Sequence, residues 1–216
     1  MYAAQHAQTR PAQPCLIMAA SGEVITYGEF EGRANRLAHL LLGHGLERLD
    51  HYSIFMENNA YYAETCAAGE RIGLYYTCIN SYLTADEMAF IVNDSESQVV
   101  ITSAARREVA MEAMKQCPNV SLHLIVGGTG DDGPFIDYAE AVANYPQSPV
   151  AHERLGTAML YSSGTTGRPK GILRPLADNP PEENLPIFGF LNQLWRYRDG
   201  MTYLSPAPLY HSAPQA

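Results

Sequence analysis

From residue 21 onward, strand-length apolar runs alternate with helix-length stripes, and that alternation restricts the fold more than any other feature of the chain. Thr26-Tyr27-Gly28-Glu29 has the S/T-x-x-E form of a capping box, in which a hydroxyl and a carboxylate each satisfy a free backbone N–H. Phe30, Ala34, Leu37, Ala38, Leu41 and Leu42 then recur at helical spacing until Gly43 and Gly45 stop the helix. Ser53 to Met56 reads as a buried strand, Ala60 to Arg71 as a crossing helix and Leu74 to Ile79 as the next strand. A second box, Thr84-Ala85-Asp86-Glu87, opens a helix with Met88, Ile91 and Val92 inward, so its acids are expected to be caps. Gln98 to Thr102 predicts a strand, Ala104 to Lys115 a helix, Leu122 to Val126 a strand and Phe135 to Ala143 a helix. Pro146 to Pro149 breaks the chain before a strand at Ala158, Met159 and Leu160. Pro186 to Tyr197 reads as helix and Met201 to Ser205 as strand. Repeated crossings of this length imply right-handed connections, hence an α/β fold of mostly parallel sheets with helices on both faces. Such sheets bind ligands at the carboxyl ends of their strands.

The 216 residues, 46% of them apolar, suffice for a sizeable core in one compact unit, and residues 1–20, rich in Ala, Gln, Pro and His without a period, read as a flexible arm ahead of residues 21–216. Net charge is −9, which argues against nucleic-acid binding and against an anionic membrane surface. Cys15, Cys66, Cys78 and Cys117 lie at irregular distances with no C-x-x-C, so they suggest neither a zinc site nor a disulfide framework and read as reduced cytosolic thiols. No signal-peptide pattern or membrane-length apolar run occurs. His39 and His44 miss the i, i+4 spacing of a helical metal site and read as surface residues. Gly127-Gly128-Thr129-Gly130 lacks the G-x-G-x-x-G spacing and reads as a flexible acidic loop with Asp131 and Asp132.

Residues 161–171, Tyr-Ser-Ser-Gly-Thr-Thr-Gly-Arg-Pro-Lys-Gly, follow a strand and carry the chemistry of phosphate binding. Glycines at 164, 167 and 171 let successive N–H groups approach a ligand with no Cβ in the way. Ser162, Ser163, Thr165 and Thr166 supply hydroxyls that can donate to phosphate oxygens or enter a Mg²⁺ shell, and Lys170 adds a mobile charge. Arg168 and Arg174 reinforce the sign, and a local cluster suffices because charges beyond about 10 Å are largely screened at ~0.1 M salt. The spacing is not that of the Walker A loop, where the lysine directly follows the last glycine and precedes a hydroxyl. Here Lys170 follows Gly167 by three, with Pro169 between.

The segment Ser162 to Gly171 resembles the signature loop of the adenylate-forming (AMP-binding) acyl-CoA synthetases, relatives of firefly luciferase and of peptide-synthetase adenylation domains. Pro208-Leu209-Tyr210-His211-Ser212-Ala213 is similar to the family's Pro-Leu-aromatic-His segment beside the acyl pocket. Weaker agreement lies in Thr26 to Phe30 with Arg36-Leu37-Ala38, and in Ile79 to Thr84 with Glu87 and Asp94-Ser95, so the likeness covers nearly the whole chain. It implies the N-terminal portion of the family's large domain, with residues 21–216 a partial adenylation domain. It also implies attack of a carboxylate on the α-phosphorus of ATP, loss of pyrophosphate, and transfer of the acyl group to coenzyme A. Carried over position by position, Ser162, Ser163, Gly164, Thr165, Thr166, Gly167 and Lys170 would hold the phosphates. Thr166 would also meet Mg²⁺, Lys170 would assist the leaving group, His211 would lie near the carboxylate and Tyr210 would line the acyl pocket.

Nothing in the chain matches the family's later elements, including the ribose-binding aspartate and the lysine of the C-terminal lid. The expectation is a fragment missing the C-terminal half of the same enzyme, inactive alone, with apolar surface left open. Cys78 stands where the family often has proline, and Leu49-Asp50-His51 replaces a usual Gly-Asp turn. Arg174 to Leu176 is similar to bacterial fatty-acyl or sterol-type ligases, which suggests a fatty-acid or related lipid carboxylate. Two other readings stay open: adenylation that feeds a carrier-protein thiol, and a truncated remnant that at most binds nucleotide.

Overall fold

A computed structural model of the chain describes residues 3–162, 168–183, 186–198 and 200–211. The chain begins with helix α1 (Ala3–Thr9) and the antiparallel pair β1 (Pro14–Ile17) and β2 (Val24–Thr26). Helix α2 (Tyr27–Gly43) follows directly, and its start carries the capping box: Glu29 N–H donates to Thr26 Oγ1 at 3.3 Å while Thr26 N–H donates to Glu29 Oε2 at 2.8 Å. The segment read as a loose arm is therefore built in. Gly28 N–H donates to Pro11 O at 2.9 Å and Tyr27 N–H to Gln13 O at 3.0 Å, tying both early elements to the head of α2.

Next come β3 (His51–Phe55), α3 (Tyr62–Glu70), β4 (Tyr75–Cys78), α4 (Ala85–Asp94), β5 (Val99–Ser103), a 3₁₀ turn at Ala104–Arg106, α5 (Arg107–Met114) and β6 (Leu122–Val126). β7 (Ile136–Asp137), α6 (Tyr138–Val142), β8 (Thr157–Ala158), β9 (Leu160–Ser162), β10 (Lys170–Ile172) and α7 (Pro186–Trp195) complete the order. Six strands form one sheet in the order β7-β6-β5-β3-β4-β8, every pair parallel. The chain goes from β3 to β4 on one side and returns across β3 to β5 on the other, so the intervening helices fall on opposite faces of the sheet.

Alternation within the strands shows both faces. Tyr52, Ile54, Tyr76, Cys78, Val99, Ile101 and Leu124 join α2, α3 and α6 in one apolar cluster. Their neighbours Phe55, Ile79, Val100 and Ile125 join α4 and α5 in another. Side chains of successive strand residues point to opposite faces, so a sheet covered twice needs continuous apolar runs, and these strands have them. Between α2 and α3 lies the fully buried Arg71, whose Nη1 and Nη2 donate to the two carboxylate oxygens of Glu31 at 2.7 and 3.1 Å.

Four predicted elements differ, the first being the strand expected at 158–160, which is divided between the end of β8 and the start of β9. Phe135 to Ala143 is not one helix: Ile136 and Asp137 first pair with β6, and Asp137 then caps α6 by accepting from Glu140 N–H at 3.0 Å. Ala104 to Lys115 begins as a 3₁₀ turn before α5. Residues 201–206 are irregular, because the predicted strand there finds no partner edge among the described residues. The open apolar surface that was expected is present, with Leu173, Phe190, Leu194, Trp195, Tyr203 and Leu204 all exposed.

Candidate functional site

Past β4 the last strand of the sheet is placed by a glycine. A Cβ on Gly156 would lie 2.2 Å from Gly69 O and 2.6 Å from Leu74 O, so only glycine lets the chain cross there. Thr157 N–H donates to Leu74 O at 3.0 Å and Met159 N–H to Tyr76 O at 2.9 Å, which carries β8 along the edge of β4. The chain then leaves the sheet. β9 and β10 pair antiparallel with Ser162 opposite Lys170, Tyr161 opposite Gly171 and Leu160 opposite Ile172. The loop between them is thus held by a hairpin, not by the strand and helix of a Walker A site. Ser163, Gly164, Thr165, Thr166 and Gly167 lie outside the described residues.

Two contacts anchor the hairpin. Tyr161 OH donates to Asp94 Oδ2 at the end of α4 at 2.7 Å, and burial followed by the adjacent carboxylate holds the phenol proton far above its ordinary range. Tyr75 OH donates to Arg174 O at 2.6 Å. Arg168 is spread over the Phe90 ring, its Cζ 5.3 Å from the ring centroid. Lys170 and Ser162 are exposed and paired through the strand ladder, and neither side chain has a hydrogen bond or ion pair to another described residue.

A cavity of about 620 Å³ opens beside the hairpin at the carboxyl end of β4. Cys78, Ile79, Leu83, Ile91, Leu160 and Ile172 give it apolar walls, and Ser162, Arg174, Tyr210 and His211 stand at its border. Structure therefore brings residues from two separate stretches to one opening, Ser162 and Arg174 on either side of the signature loop and the Tyr210–His211 pair, while Lys170 is not among the lining residues. Tyr210 and His211 lie with ring centroids 4.5 Å apart, and His211 N–H donates to Pro208 O at 3.1 Å. The acids nearby are engaged: Glu87 accepts from Thr84 N–H at 2.9 Å, as its capping role predicts, and Asp94 accepts from Tyr161.

The pattern that defines the AMP-binding enzyme family matches residues 3–215. The chain belongs to that family. It is 30% identical over 195 residues to an acetyl-coenzyme A synthetase of Penicillium chrysogenum, covering 80% of this chain and 29% of the relative. Against a human mitochondrial acetyl-coenzyme A synthetase 2-like protein it is 32% identical over 170 residues, 71% of this chain and 24% of the relative. The chain thus spans less than a third of the length of either. Among solved structures, a Rhodopseudomonas palustris protein assigned as a long-chain-fatty-acid CoA ligase superposes with TM-score 0.78 at 24% identity, over 97% of this chain and 51% of that one. At that identity the likeness establishes the fold.

One site residue of this AMP-binding chain escapes sequence reasoning. Asn58, just past β3, donates from Nδ2 to Ala207 O at 3.1 Å and accepts at Oδ1 from Leu209 N–H at 2.8 Å. Both ends of one amide thus clamp the segment that presents Tyr210 and His211, across a separation of about 150 residues. An Asn-Asn pair after a strand carries no spacing that would mark it. For Mg²⁺ the described residues supply no group of three or more His, Cys, Asp or Glu side chains able to hold a metal. Thr166, the predicted contact, is outside them.

Proposed function

We propose that this chain is the N-terminal part of an ATP-dependent acyl-CoA synthetase, in which the β9–β10 hairpin grips the triphosphate and the cavity beside it receives the carboxylic acid. The observation that carries the reading is the placement of Lys170 and Ser162 opposite one another at the hairpin mouth, next to the cavity bordered by Tyr210 and His211. No acidic residue occurs from Tyr161 to Ala177, so the hairpin presents Arg168, Lys170 and Arg174 without internal compensation. A carboxylate and a triphosphate repel one another, and preorganised donors and cations that screen this repulsion lower the barrier to attack on the α-phosphorus.

In this assignment Ser162, Ser163, Thr165, Thr166 and the amides of Gly164 and Gly167 contact the phosphates, and Lys170 stabilises the departing pyrophosphate. His211 lies at the carboxylate and Tyr210 lines the acyl pocket, with Asn58 setting the position of both. Mg²⁺, where it binds, supplies charge neutralisation on the triphosphate, and the second half-reaction hands the acyl group to the thiol of coenzyme A. The apolar walls of the cavity favour an apolar acyl chain, a fatty-acid or related lipid carboxylate, whereas the sequence relatives are named acetyl-coenzyme A synthetases. We place the protein in the cytoplasm on its four unbridged thiols.

ATP–pyrophosphate exchange with carboxylates from acetate to palmitate tests the assignment. It is to be run on the 216-residue chain and on a polypeptide extended to the length of its relatives. The extended form exchanges and the short chain does not. Robust exchange by the short chain alone would contradict the need for the remaining half, and no exchange by either would remove the synthetase reading.

A further inference from the structure

Cys66 and Cys78, twelve positions apart in sequence, meet beneath the candidate site. Cys66 lies on α3 and Cys78 ends β4, and their Sγ atoms are 3.9 Å apart with no disulfide formed. Both are buried in the cluster that also receives Leu209 and Tyr210. Cys78 differs from its partner in one respect: it is also one of the residues that line the 620 Å³ cavity. The other two cysteines are placed otherwise. Cys117 donates to Ala113 O at 3.3 Å, and burial pushes the thiols of Cys15 and Cys117 each up to about 11.

We infer that Cys66 and Cys78 form an oxidisable dithiol in the wall of the candidate site, with Cys78 the sulfur attacked from the cavity and Cys66 the resolving thiol. With hydrogen peroxide as oxidant, the Cys78 sulfur takes one peroxide oxygen, the O–O bond breaks, and water and a sulfenic acid result. The Cys66 sulfur then displaces that hydroxyl as a second water, so two thiols and one peroxide give one disulfide and two waters. A disulfide requires a sulfur–sulfur distance of about 2.05 Å. Closing from 3.9 Å draws the Cys78 side chain toward α3 and away from the cavity it lines. The bond links α3 to β4 beneath Tyr210, so the shape of the acyl wall becomes dependent on oxidation. That last consequence rests on the proposed function; the dithiol itself does not.

The test reads covalent chemistry and not activity. The native chain is treated with hydrogen peroxide, remaining thiols are alkylated in urea, and the protein is digested with trypsin. Arg71 lies between the two cysteines, so they fall in separate tryptic peptides unless bonded. The expected product is one crosslinked pair of peptides carrying Cys66 and Cys78, lighter by two hydrogens, with Cys15 and Cys117 alkylated. Cys66→Ser should leave Cys78 as a sulfenic or sulfinic acid, and Cys78→Ser should leave Cys66 alkylated. Oxidation in urea of the unchanged sequence provides a reference that needs no folded variant: there the four thiols should give mixed pairings. Recovery of Cys66 and Cys78 as alkylated thiols from the native chain, at a dose that oxidises Cys15, would overturn the inference, as would equal pairings in native and urea samples.

Discussion

Two glycine-rich loops follow strands in this molecule, and they end differently. The loop after β6 folds onto its own anion: Asp132 Oδ2 accepts from Thr129 N–H at 2.7 Å and Gly130 N–H at 3.0 Å, while Arg107 Nη2 lies 2.6 Å from Oδ1. Asp132 is 4% exposed, so the segment expected to be a flexible acidic loop is closed by a buried carboxylate. A Cβ on Gly128 would come within 2.7 Å of Asp132 Oδ2, so glycine there permits the close approach. In the β9–β10 hairpin the corresponding crowding is apolar: a Cβ on Gly171 would meet Met159 Cε at 2.5 Å and the Tyr161 ring at 2.9 Å. Of its cations, Arg174 lines a cavity and Lys170 is exposed beside it, and no salt bridge joins either to an acid among the described residues. Glycine-rich backbone is common to both loops; what separates them is whether the chain supplies the anion itself. A loop that already holds a carboxylate on its amides has no donors left for phosphate.

The largest test of this contrast is Lys170→Ala in the extended polypeptide. Loss of one aimed charge should lower ATP–pyrophosphate exchange by about 100- to 1,000-fold, with the thermal midpoint unchanged because the side chain is exposed. An unchanged exchange rate would place the hairpin beside Asp132's loop as structural.

A buried acid without backbone amides gives the next effect. Glu64 is 1% exposed, accepts from Tyr138 OH at 2.9 Å and has Arg33 Nη1 only at 3.8 Å. Burial pushes its carboxyl up to about 7, against smaller opposing contributions from Tyr138 and Arg33. The folded state therefore holds this proton more tightly than the unfolded state, whose carboxyl titrates near 4.5. The resulting stability is complete below that value and is lost as pH rises through about 7, a change of up to about 3 kcal/mol. Urea denaturation from pH 4.5 to 8 should show the decline, and Glu64→Gln should flatten it. A slope that persists in the variant would assign it elsewhere.

Asp132→Ala should cost about 2 kcal/mol by leaving loop amides and Arg107 without their acceptor, read as a lower urea midpoint, with Asp132→Asn losing less. If the loss is negligible, the loop is not held by its carboxylate. Thr84→Ala removes one capping oxygen from α4 and should cost about 1 kcal/mol. Both loops should keep their behaviour in that variant, which makes it the control for general loss of stability.

Local signals were legible where local chemistry decides. Both capping boxes form as the spacing predicts, and β6 spans the same residues as its apolar run. The 135–143 stretch misleads because Ile136 and Asp137 are drawn to an open edge of β6 before the helix can start, a choice made by tertiary pairing. Residues 201–206 carry strand-like composition without a neighbouring strand to use it. At the candidate site, Ser162 and Lys170 stand out by the composition of their stretch, and Tyr210 and His211 by the likeness of theirs to a family segment. Asn58 does not, since its clamp exists only once residues 58 and 207–209 are neighbours.

By itself the sequence determined the α/β class, the helix starts and the phosphate-binding composition of residues 161–171, because propensity, capping and hydroxyl or cation content are properties of short stretches. Tertiary structure alone decided that the loop is flanked by an antiparallel hairpin and that Asp132 turns inward. It also decided that Cys66 meets Cys78, and that the Tyr210–His211 segment closes over the end of β4. Each of these depends on which distant backbone groups find one another when the sheet assembles, and no local window of residues contains that information.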